Sequence, residues 1–172
     1  ARAMREAGLA VTDVAAVTGS PEMLDGRVKT LHPRIHGGVL GDLRLPAHRG
    51  QMAHANIDPF QVVAVNLYRF ADAAATPGID LDGLIEEIDI GGPALVRAAA
   101  KNHANVAILT DPRQYPVVLE QLGRDGVVSE ATRRDLAVAA YRLTAGYDAM
   151  IAAELARRFS GGAVDPSVEE RL

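Results

Sequence analysis

Two apolar runs along the chain have the character of buried strands. Residues 61–65 (QVVAV) and 106–109 (VAIL) are continuous runs of aliphatic, mostly β-branched side chains. Such runs are typical of parallel strands whose two faces are both covered. Residues 9–17 are predicted to be a short strand or an extended stretch, and residues 71–80 a loop. Strands that alternate with helices predict an α/β fold, a three-layer sandwich with a mainly parallel sheet.

Capping and amphipathic patterns place helices between and after these strands. Ser129 suits an N-cap, and apolar side chains at three- and four-residue steps predict one long helix over residues 130–159. The stripe consists of Leu136, Ala140, Leu143, Tyr147 and Met150. Gly146 is expected to bend this helix or to split it. Shorter helices are predicted over residues 1–7, 43–54 and 113–122, the last with Gly123 as its cap, and a short helix or a turn over residues 81–88.

One helix start has features that suit a ligand. The stretch Ile88–His103 (IDIGGPALVRAAAKNH) places an acid and two glycines before a helix, and Pro93 fits the first helical position. Gly91 and Gly92 leave the backbone bare, so free N–H groups and the positive end of the helix dipole can approach an anion or a developing oxyanion. Taken alone, an ordinary helix start with common turn residues is the simpler interpretation.

A basic segment, residues 26–38 (GRVKTLHPRIHGG), is bounded by glycines. Its cations Arg27, Lys29 and Arg34, with Thr30 between them, are able to hold a phosphate. A solvated basic loop is the commoner outcome for such a run and stays open as the alternative.

The same segment contains two histidines, His32 and His36, at the spacing of two metal ligands on one helix face. Pro33 disfavours helix at the first of them, and no third ligand lies near by in the sequence. The sequence therefore predicts no metal site.

Polar residues follow the first apolar run. Asn66 and Tyr68 come just past its carboxyl end, where open α/β sheets bind ligands. A turn-capping asparagine and a half-buried tyrosine would explain the same positions. Residues 27–30, 66–68 and 89–101 are expected to converge at this edge, offering cations, a phenol, a carboxylate and helix-start donors. That combination favours a phosphorylated small molecule and acid–base chemistry on a carbonyl.

Composition narrows the class of protein. The chain has 172 residues, 48% of them hydrophobic and 23% charged, with no cysteine and a formal net charge of −4. These values predict one globular domain without disulfides, and they give no case for nucleic acid or an anionic membrane. Without a signal peptide or an apolar run of about 18 residues, a cytoplasmic protein is expected. We assign residues 1–160 to the domain and residues 161–172 to a linker.

Four segments together resemble a known family. Residues 26–38, VVAVNLYRF (62–70), EEIDIGGPALVRAAAKNH (86–103) and YDAMIA (147–152) are similar, in the same order, to the IMP cyclohydrolase domain of AICAR transformylase/IMP cyclohydrolase. The resemblance covers residues 1 to about 160. It implies a methylglyoxal-synthase-like α/β fold and a homodimer formed through the intact protein. It also implies cyclisation of 5-formamidoimidazole-4-carboxamide ribonucleotide (FAICAR) to IMP with loss of water, without cofactor or metal.

The resemblance also implies roles for individual residues. The catalytic residues that it implies are Lys101, Asp89, Tyr68 and Lys29. The nucleotide-binding residues that it implies are Arg27, Val28, Lys29, Thr30, Asn66, Leu67, Asp89 and Ile90. Lys101 is expected to carry protons between the attacking nitrogen and the departing hydroxyl. The backbone N–H groups of Gly91 and the residue before it are expected to hold the oxyanion.

Three features depart from the family pattern. Members begin with a strand and two turns rich in Ser, Gly and Thr, which would precede Ala1, so a fragment whose sheet lacks its first strand is expected. Arg69 stands where a proline usually follows the tyrosine, which would leave Tyr68 less rigidly held. No transformylase domain is expected within this chain. A phosphate-ligand binding module of the same fold and an inactive fragment are the alternative interpretations.

Overall fold

The computed structural model describes residues 1–160, so the predicted linker over residues 161–172 lies outside the described residues. The helices are α1 (Arg2–Glu6), α2 (Val14–Thr18), α3 (Pro33–Leu40), α4 (Pro46–His54), α5 (Phe70–Ala74), α6 (Leu81–Glu86), α7 (Gly91–Lys101), α8 (Tyr115–Asp125) and α9 (Glu130–Phe159). The strands are β1 (Val62–Ala64) and β2 (Ala107–Leu109). They pair in parallel, with Val63 opposite Ile108. The α/β class is confirmed, and the sheet in this part of the chain has two strands.

The second strand lies inside the main core. All three residues of β2 are buried, as its apolar run predicts. β1 differs, because its residues alternate between exposed and half-buried and Val62 is 39% exposed. The prediction that both faces of β1 are covered is therefore wrong. Within residues 1–160, β2 is its only partner strand, so β1 is an edge with one covered face.

Two helices enclose β2. Both α7 and α9 pack against this strand and against each other, and α3 contacts α7 as well. Ala98, Ala99 and Ala100 of α7 are all buried. Consecutive helical residues point about 100° apart, so three buried in a row require neighbours on more than one side of the helix. The small alanine side chains let those neighbours come close, which fixes α7 firmly in the fold.

The long final helix is confirmed. The Ser129 hydroxyl accepts a hydrogen bond from the Thr132 N–H at 3.2 Å, which caps α9. The buried residues of this helix are Leu136, Ala137, Ala140, Thr144 and Tyr147. Three of them belong to the predicted stripe. The helix passes Gly146 without a break, because glycine disfavours helix by only about 1 kcal/mol, less than the packing of α9 supplies.

Two predicted non-helical segments contain helices. Residues 9–17 were expected to be extended, but α2 begins at Val14, and no strand of the described sheet pairs with this segment. A strand gains little without a partner, whereas alanines at positions 15 and 16 favour helix. The predicted loop over residues 71–80 begins with α5. Phe70 is completely buried and anchors that helix, a packing effect that local sequence does not show.

The end of α8 also differs from the prediction. The helix continues past Gly123 to Asp125 and closes at Gly126, whose φ of 69° is left-handed. Glycine adopts this conformation without steric penalty, so the second glycine, not the first, is the cap. No helix in residues 1–160 is both long and apolar enough to cross a membrane.

Candidate active site

A cavity of about 590 Å³ opens where three segments of the chain meet. Its wall comes from the turn at residues 25–30, from Tyr68 beyond β1, and from residues between Ile85 and Leu95, which join α6 to α7. The predicted site residues on this wall are Arg27, Lys29, Thr30, Tyr68, Asp89, Ile90 and Gly91. The structure thus brings together side chains that are distant in sequence.

The start of α7 is built around Asp89. Its Oδ1 accepts a hydrogen bond from the Gly92 N–H at 2.8 Å and so caps the helix. α7 begins at Gly91, so Pro93 is its third residue. The prediction that Pro93 is the first residue of the helix is therefore wrong. The difference is tolerated because the N–H groups of the whole first turn have no acceptor inside the helix.

Both glycines at this helix start are required by close contacts. A Cβ atom at Gly92 would lie 2.2 Å from Asp89 Oδ2 and 3.0 Å from Leu67 Cδ2. A Cβ atom at Gly91 would lie 2.9 Å from Thr30 Oγ1. The bare backbone therefore lets the start of α7 touch both the basic turn and the segment after β1.

Two backbone donors at this helix start are available to a ligand. The Gly92 N–H is taken by the capping carboxylate, and Pro93 has no N–H. The Ala94 N–H donates to the Ile90 carbonyl at 3.2 Å. Within residues 1–160, the N–H groups of Ile90 and Gly91 donate to no protein acceptor, and both residues line the cavity. Such donors at the positive end of a helix suit an anion or an oxyanion.

The cations of the cavity are held by carboxylates. The Arg27 guanidinium donates through Nη2 to Oε1 of Glu86. The Lys29 Nζ lies 3.9 Å from Oε2 of Glu22. All four side chains are largely exposed to solvent. Exposed ion pairs contribute at most about 1 kcal/mol, so a phosphate dianion with several oxygens competes well for both cations.

The two histidines of the basic segment hold backbone groups. The His36 Nδ1 lies 2.9 Å from the Thr30 carbonyl oxygen, to which it donates. The His32 Nδ1 accepts a hydrogen bond from the Arg34 N–H at 3.1 Å and caps α3. His32 is the N-cap because Pro33, the first residue of α3, disfavours helix at the preceding residue. No group of three or more His, Cys, Asp or Glu side chains placed to hold a metal occurs in residues 1–160.

Tyr68 lies between this cavity and a second one of about 550 Å³. Its side chain is 60% exposed. The Phe70 N–H donates to the Tyr68 carbonyl at 3.0 Å and closes a tight turn. The central residue, Arg69, has φ −85° and ψ 66°, the conformation of an inverse γ-turn. Arg69 therefore adopts a φ close to the value of about −65° that a proline would impose.

Four predicted site residues do not line the first cavity: Val28, Asn66, Leu67 and Lys101. Asn66 and Leu67 line the second cavity, together with Tyr68. Lys101 is the exposed last residue of α7. An α-helix rises 1.5 Å per residue, so Lys101 lies about 15 Å from Gly91 along the axis. The expectation that its amine shares a pocket with Asp89 and Tyr68 is wrong, because α7 holds the lysine and the aspartate at opposite ends.

Sequence reasoning missed one residue that shapes the site. The Asp89 N–H donates to the Tyr147 hydroxyl at 2.8 Å, although the helical stripe marked Tyr147 only as core. Burial raises the pKa of the Tyr147 phenol above its ordinary value of 10, so the hydroxyl stays protonated. A general rule could have indicated this polar role of Tyr147, because a buried tyrosine hydroxyl usually has a hydrogen-bond partner.

Parallel strands, a glycine-rich helix start and a cation-bearing cavity together define an α/β domain with a site suited to an anionic small molecule. The MGS-like domain family matches residues 1–94, and the AICARFT/IMPCHase bienzyme family matches residues 99–170. The chain belongs to the MGS-like domain family, and its second part is similar to the AICARFT/IMPCHase bienzyme family. The predicted resemblance and the methylglyoxal-synthase-like fold are thereby confirmed.

Individual relatives agree with this assignment. The chain is 55% identical over 152 residues to the bifunctional purine biosynthesis protein PurH of Synechococcus sp. (strain CC9311), covering 88% of this chain and 29% of that protein. It is 50% identical over 165 residues to PurH of Cutibacterium acnes (strain DSM 16379 / KPA171202), covering 96% of this chain and 31% of that protein. The chain thus spans about three tenths of the length of the curated relatives it matches. A solved structure, the crystal structure of ForH, has a TM-score of 0.75 and 35% identity, covering 90% of this chain and 80% of that one.

Proposed function

We propose that this chain is an IMP cyclohydrolase domain, an enzyme that closes the purine ring of FAICAR to give IMP and water. The observation that carries the proposal is the single cavity shared by Arg27 and Lys29, by Tyr68, and by the helix start that Asp89 caps. Similarity to PurH proteins of purine biosynthesis supports a small ribonucleotide as the substrate class. The proposal concerns ring closure only.

The reaction joins two groups that are attached to one imidazole ring. The carboxamide nitrogen attacks the formyl carbon, which forms a C–N bond and an oxyanion. The attacking nitrogen gives up one proton and the formamide nitrogen another, and the formyl oxygen leaves with both as water. Because the step is intramolecular, the site has to orient the formyl group, stabilise the oxyanion and move two protons.

The cavity contains groups for each of these tasks. Arg27 and Thr30 bind the phosphate, and the dianion displaces Glu86 from the guanidinium. The N–H groups of Ile90 and Gly91 hold the oxyanion, where loss of one donor typically lowers the rate about 100- to 1000-fold.

Three side chains move or guide the protons. The Asp89 carboxylate accepts the proton of the attacking nitrogen and passes it to the departing oxygen. The Lys29 ammonium donates the second proton to that oxygen and regains one from the formamide nitrogen. The Tyr68 hydroxyl, between the two cavities, hydrogen-bonds to the reacting amide. Lys101 is left out of this set because it lies at the far end of α7 and does not line the cavity.

The remaining predicted residues support the nucleotide. Asn66 and Leu67 line the second cavity beside Tyr68, where they contact the part of the nucleotide that extends past the reacting ring. The Val28 carbonyl accepts the Leu31 N–H at 3.0 Å and stabilises the phosphate-binding turn. A homodimer of the intact protein and a cytoplasmic location stay predictions of the sequence.

A pair of lysine variants tests the proposal. FAICAR is added to the purified 172-residue chain, to Lys29→Met and to Lys101→Met, and IMP formation is followed by ultraviolet absorbance. The parent is expected to turn over, and Lys29→Met to lose about 100- to 10000-fold in kcat/KM, the range for a general acid. Lys101→Met removes the same charge and makes the same change in size. Its kcat/KM is expected to stay within about threefold of the parent value, since exposed sites far from the cavity contribute little.

Two results would contradict the proposal. An inactive parent chain that still binds inorganic phosphate would favour the phosphate-ligand binding module. A loss of turnover in Lys101→Met that equals or exceeds the loss in Lys29→Met would show that the catalytic amine is not in this cavity.

A further inference from the structure

The buried phenol of Tyr147 touches both segments that bring polar groups to the site. Its hydroxyl accepts the Asp89 N–H at 2.8 Å, just before the start of α7. Its ring meets Phe70 edge to face, with centroids 6.4 Å apart and an angle of 73° between the planes. Phe70 is fully buried and follows Tyr68 by two residues, in the turn whose hydrogen bond closes on the Tyr68 carbonyl. One side chain of α9 thus contacts two segments distant in sequence.

The segment that Tyr147 holds has few other anchors. Asp89 and Ile90 lie between α6 and α7, and two hydrogen bonds tie this segment to the helix that follows, from the Gly92 N–H to the Asp89 carboxylate and from the Ala94 N–H to the Ile90 carbonyl. Tyr147 is only 5% exposed, so water does not compete for its hydrogen bond. The two free donors of the proposed oxyanion site, the N–H groups of Ile90 and Gly91, come directly after the residue that Tyr147 fixes.

We propose that Tyr147 is a positioning residue of the site, which holds the Asp89–Gly91 backbone in the geometry that receives the oxyanion. The inference rests on the proposed ring closure for its catalytic consequence, but its structural part can be measured without turnover. A donor displaced from the oxyanion weakens binding of the transition state more than binding of the substrate. The phosphate is gripped by a different segment, the turn at residues 25–30.

The first experiment measures order at the helix start. Amide hydrogen exchange is recorded for the full chain, for Tyr147→Phe and for Tyr141→Phe, at a temperature at which circular dichroism shows all three folded. Tyr147→Phe keeps the ring contact with Phe70 and loses only the hydroxyl. Tyr141 is the matched control, since it lies on the same helix, is 39% exposed and faces Arg97 instead of the site.

Exchange of the Asp89 and Gly92 amides, which donate to the Tyr147 hydroxyl and to the Asp89 carboxylate, is expected to rise about tenfold in Tyr147→Phe, relative to amides in β2, and to be unchanged in Tyr141→Phe. Equal exchange in the two variants would overturn the inference. This result does not depend on whether the chain turns over FAICAR.

The second experiment separates positioning from a merely structural contact. In the FAICAR assay, Tyr147→Phe is expected to lower kcat about tenfold and to change KM less than twofold, whereas Tyr141→Phe changes neither. Faster exchange of the Asp89 and Gly92 amides with an unchanged kcat would overturn the positioning role while ring closure stands. An inactive parent would overturn ring closure, and exchange would still decide whether Tyr147 orders this segment.

Discussion

Gly92 illustrates how closely single residues are fitted at the start of α7. Its missing side chain leaves room for the carboxylate of Asp89, which would be 2.2 Å from a Cβ atom, and for Leu67. The sequence indicates that this backbone must be bare, since two glycines precede a proline. It does not indicate which atoms fill the space, because these come from a capping side chain and from the segment after β1.

Substitution of Gly92 by alanine is expected to destabilise the protein. The added methyl group must push Asp89 out of its capping position, and overpacking of this kind costs about 1–3 kcal/mol. Gly123→Ala is the matched control, because Gly123 lies inside α8 with no atom within 4 Å of its Cβ position. That variant is expected to gain about 0.5–1 kcal/mol from helix propensity. Urea unfolding measures the free energy of unfolding of both variants. A Gly92→Ala variant as stable as the parent would show that the Asp89 carboxylate does not occupy the capping position.

At the scale of elements, side-chain interactions at both ends of α9 determine where this helix begins and ends. Ser129 caps its start, and its last turns carry a carboxylate between two arginines, with Glu154 accepting from Arg157 and Arg158 at 2.6–2.8 Å. Arg158 also donates to the Ile79 carbonyl at 3.0 Å, which ties the end of α9 to the segment before α6. The helix was predictable because its cap and stripe are local. Its tie to Ile79 was not, since 79 residues separate the partners.

The ion pairs of Glu154 predict a pH dependence of stability. Hydrogen bonds from Arg157 and then Arg158 lower the pKa of Glu154 from 4.5 to about 2. A carboxyl group whose pKa is lower in the folded state stabilises the fold fully above its unfolded value. That contribution is lost as the pH falls from about 4.5 to about 2. The free energy of unfolding of the parent is therefore expected to approach that of Glu154→Gln over this window.

Urea unfolding of both proteins at several pH values between 6 and 2 measures this difference. Glu120→Gln is the control for loss of one carboxylate, because Glu120 makes only an exposed contact of 3.7 Å with Arg124. A gap between the parent and Glu154→Gln that stays constant down to pH 2 would contradict the expected linkage.

At the scale of the whole molecule, the carboxyl end of α7 joins three elements. The buried Asn102 donates through Nδ2 to the carbonyls of Val39 at 2.7 Å and Gly41 at 3.0 Å, at the end of α3. Arg133 of α9 donates to the carbonyls of His103 at 2.8 Å and Ala104 at 3.1 Å. Asn102 and His103, which follow Lys101 directly, thus connect α7 to α3 and to α9.

Removal of the Asn102 amide is expected to weaken the entire fold. Asn102→Ala leaves two carbonyl groups without their donor, and each unpaired buried polar group costs about 1–3 kcal/mol. A loss of at least about 2 kcal/mol in the free energy of unfolding is therefore expected from thermal or urea unfolding. Lys101→Met, the exposed neighbour, is expected to stay within about 1 kcal/mol of the parent. Similar losses in both variants would contradict a specific role for Asn102.

Local patterns in the sequence were sufficient to predict the buried strand β2, the long helix α9 with its cap, the α/β class and the family. These features follow from local periodicity, capping chemistry and long matching segments, which need no knowledge of distant contacts. The sequence also predicted that residues 27–30, 66–68 and 89–101 converge, because strand ends and helix starts gather at one edge of a parallel sheet. Of these segments, the first cavity brings together Arg27, Lys29, Thr30, Tyr68 and the start of α7.

Which of these side chains can act together depends on contacts and distances between segments that are far apart in sequence. Matching residues to a family pattern transfers identities but no distances, so Lys101 was included in the expected site although α7 separates it from Gly91 by about 15 Å along the axis. Tyr147 contacts Asp89 through a hydrogen bond between residues 58 positions apart, which no local pattern predicts. The edge position of β1 and the helices α2 and α5 were likewise decided by partners in space, since strand pairing and burial are properties of the packed chain.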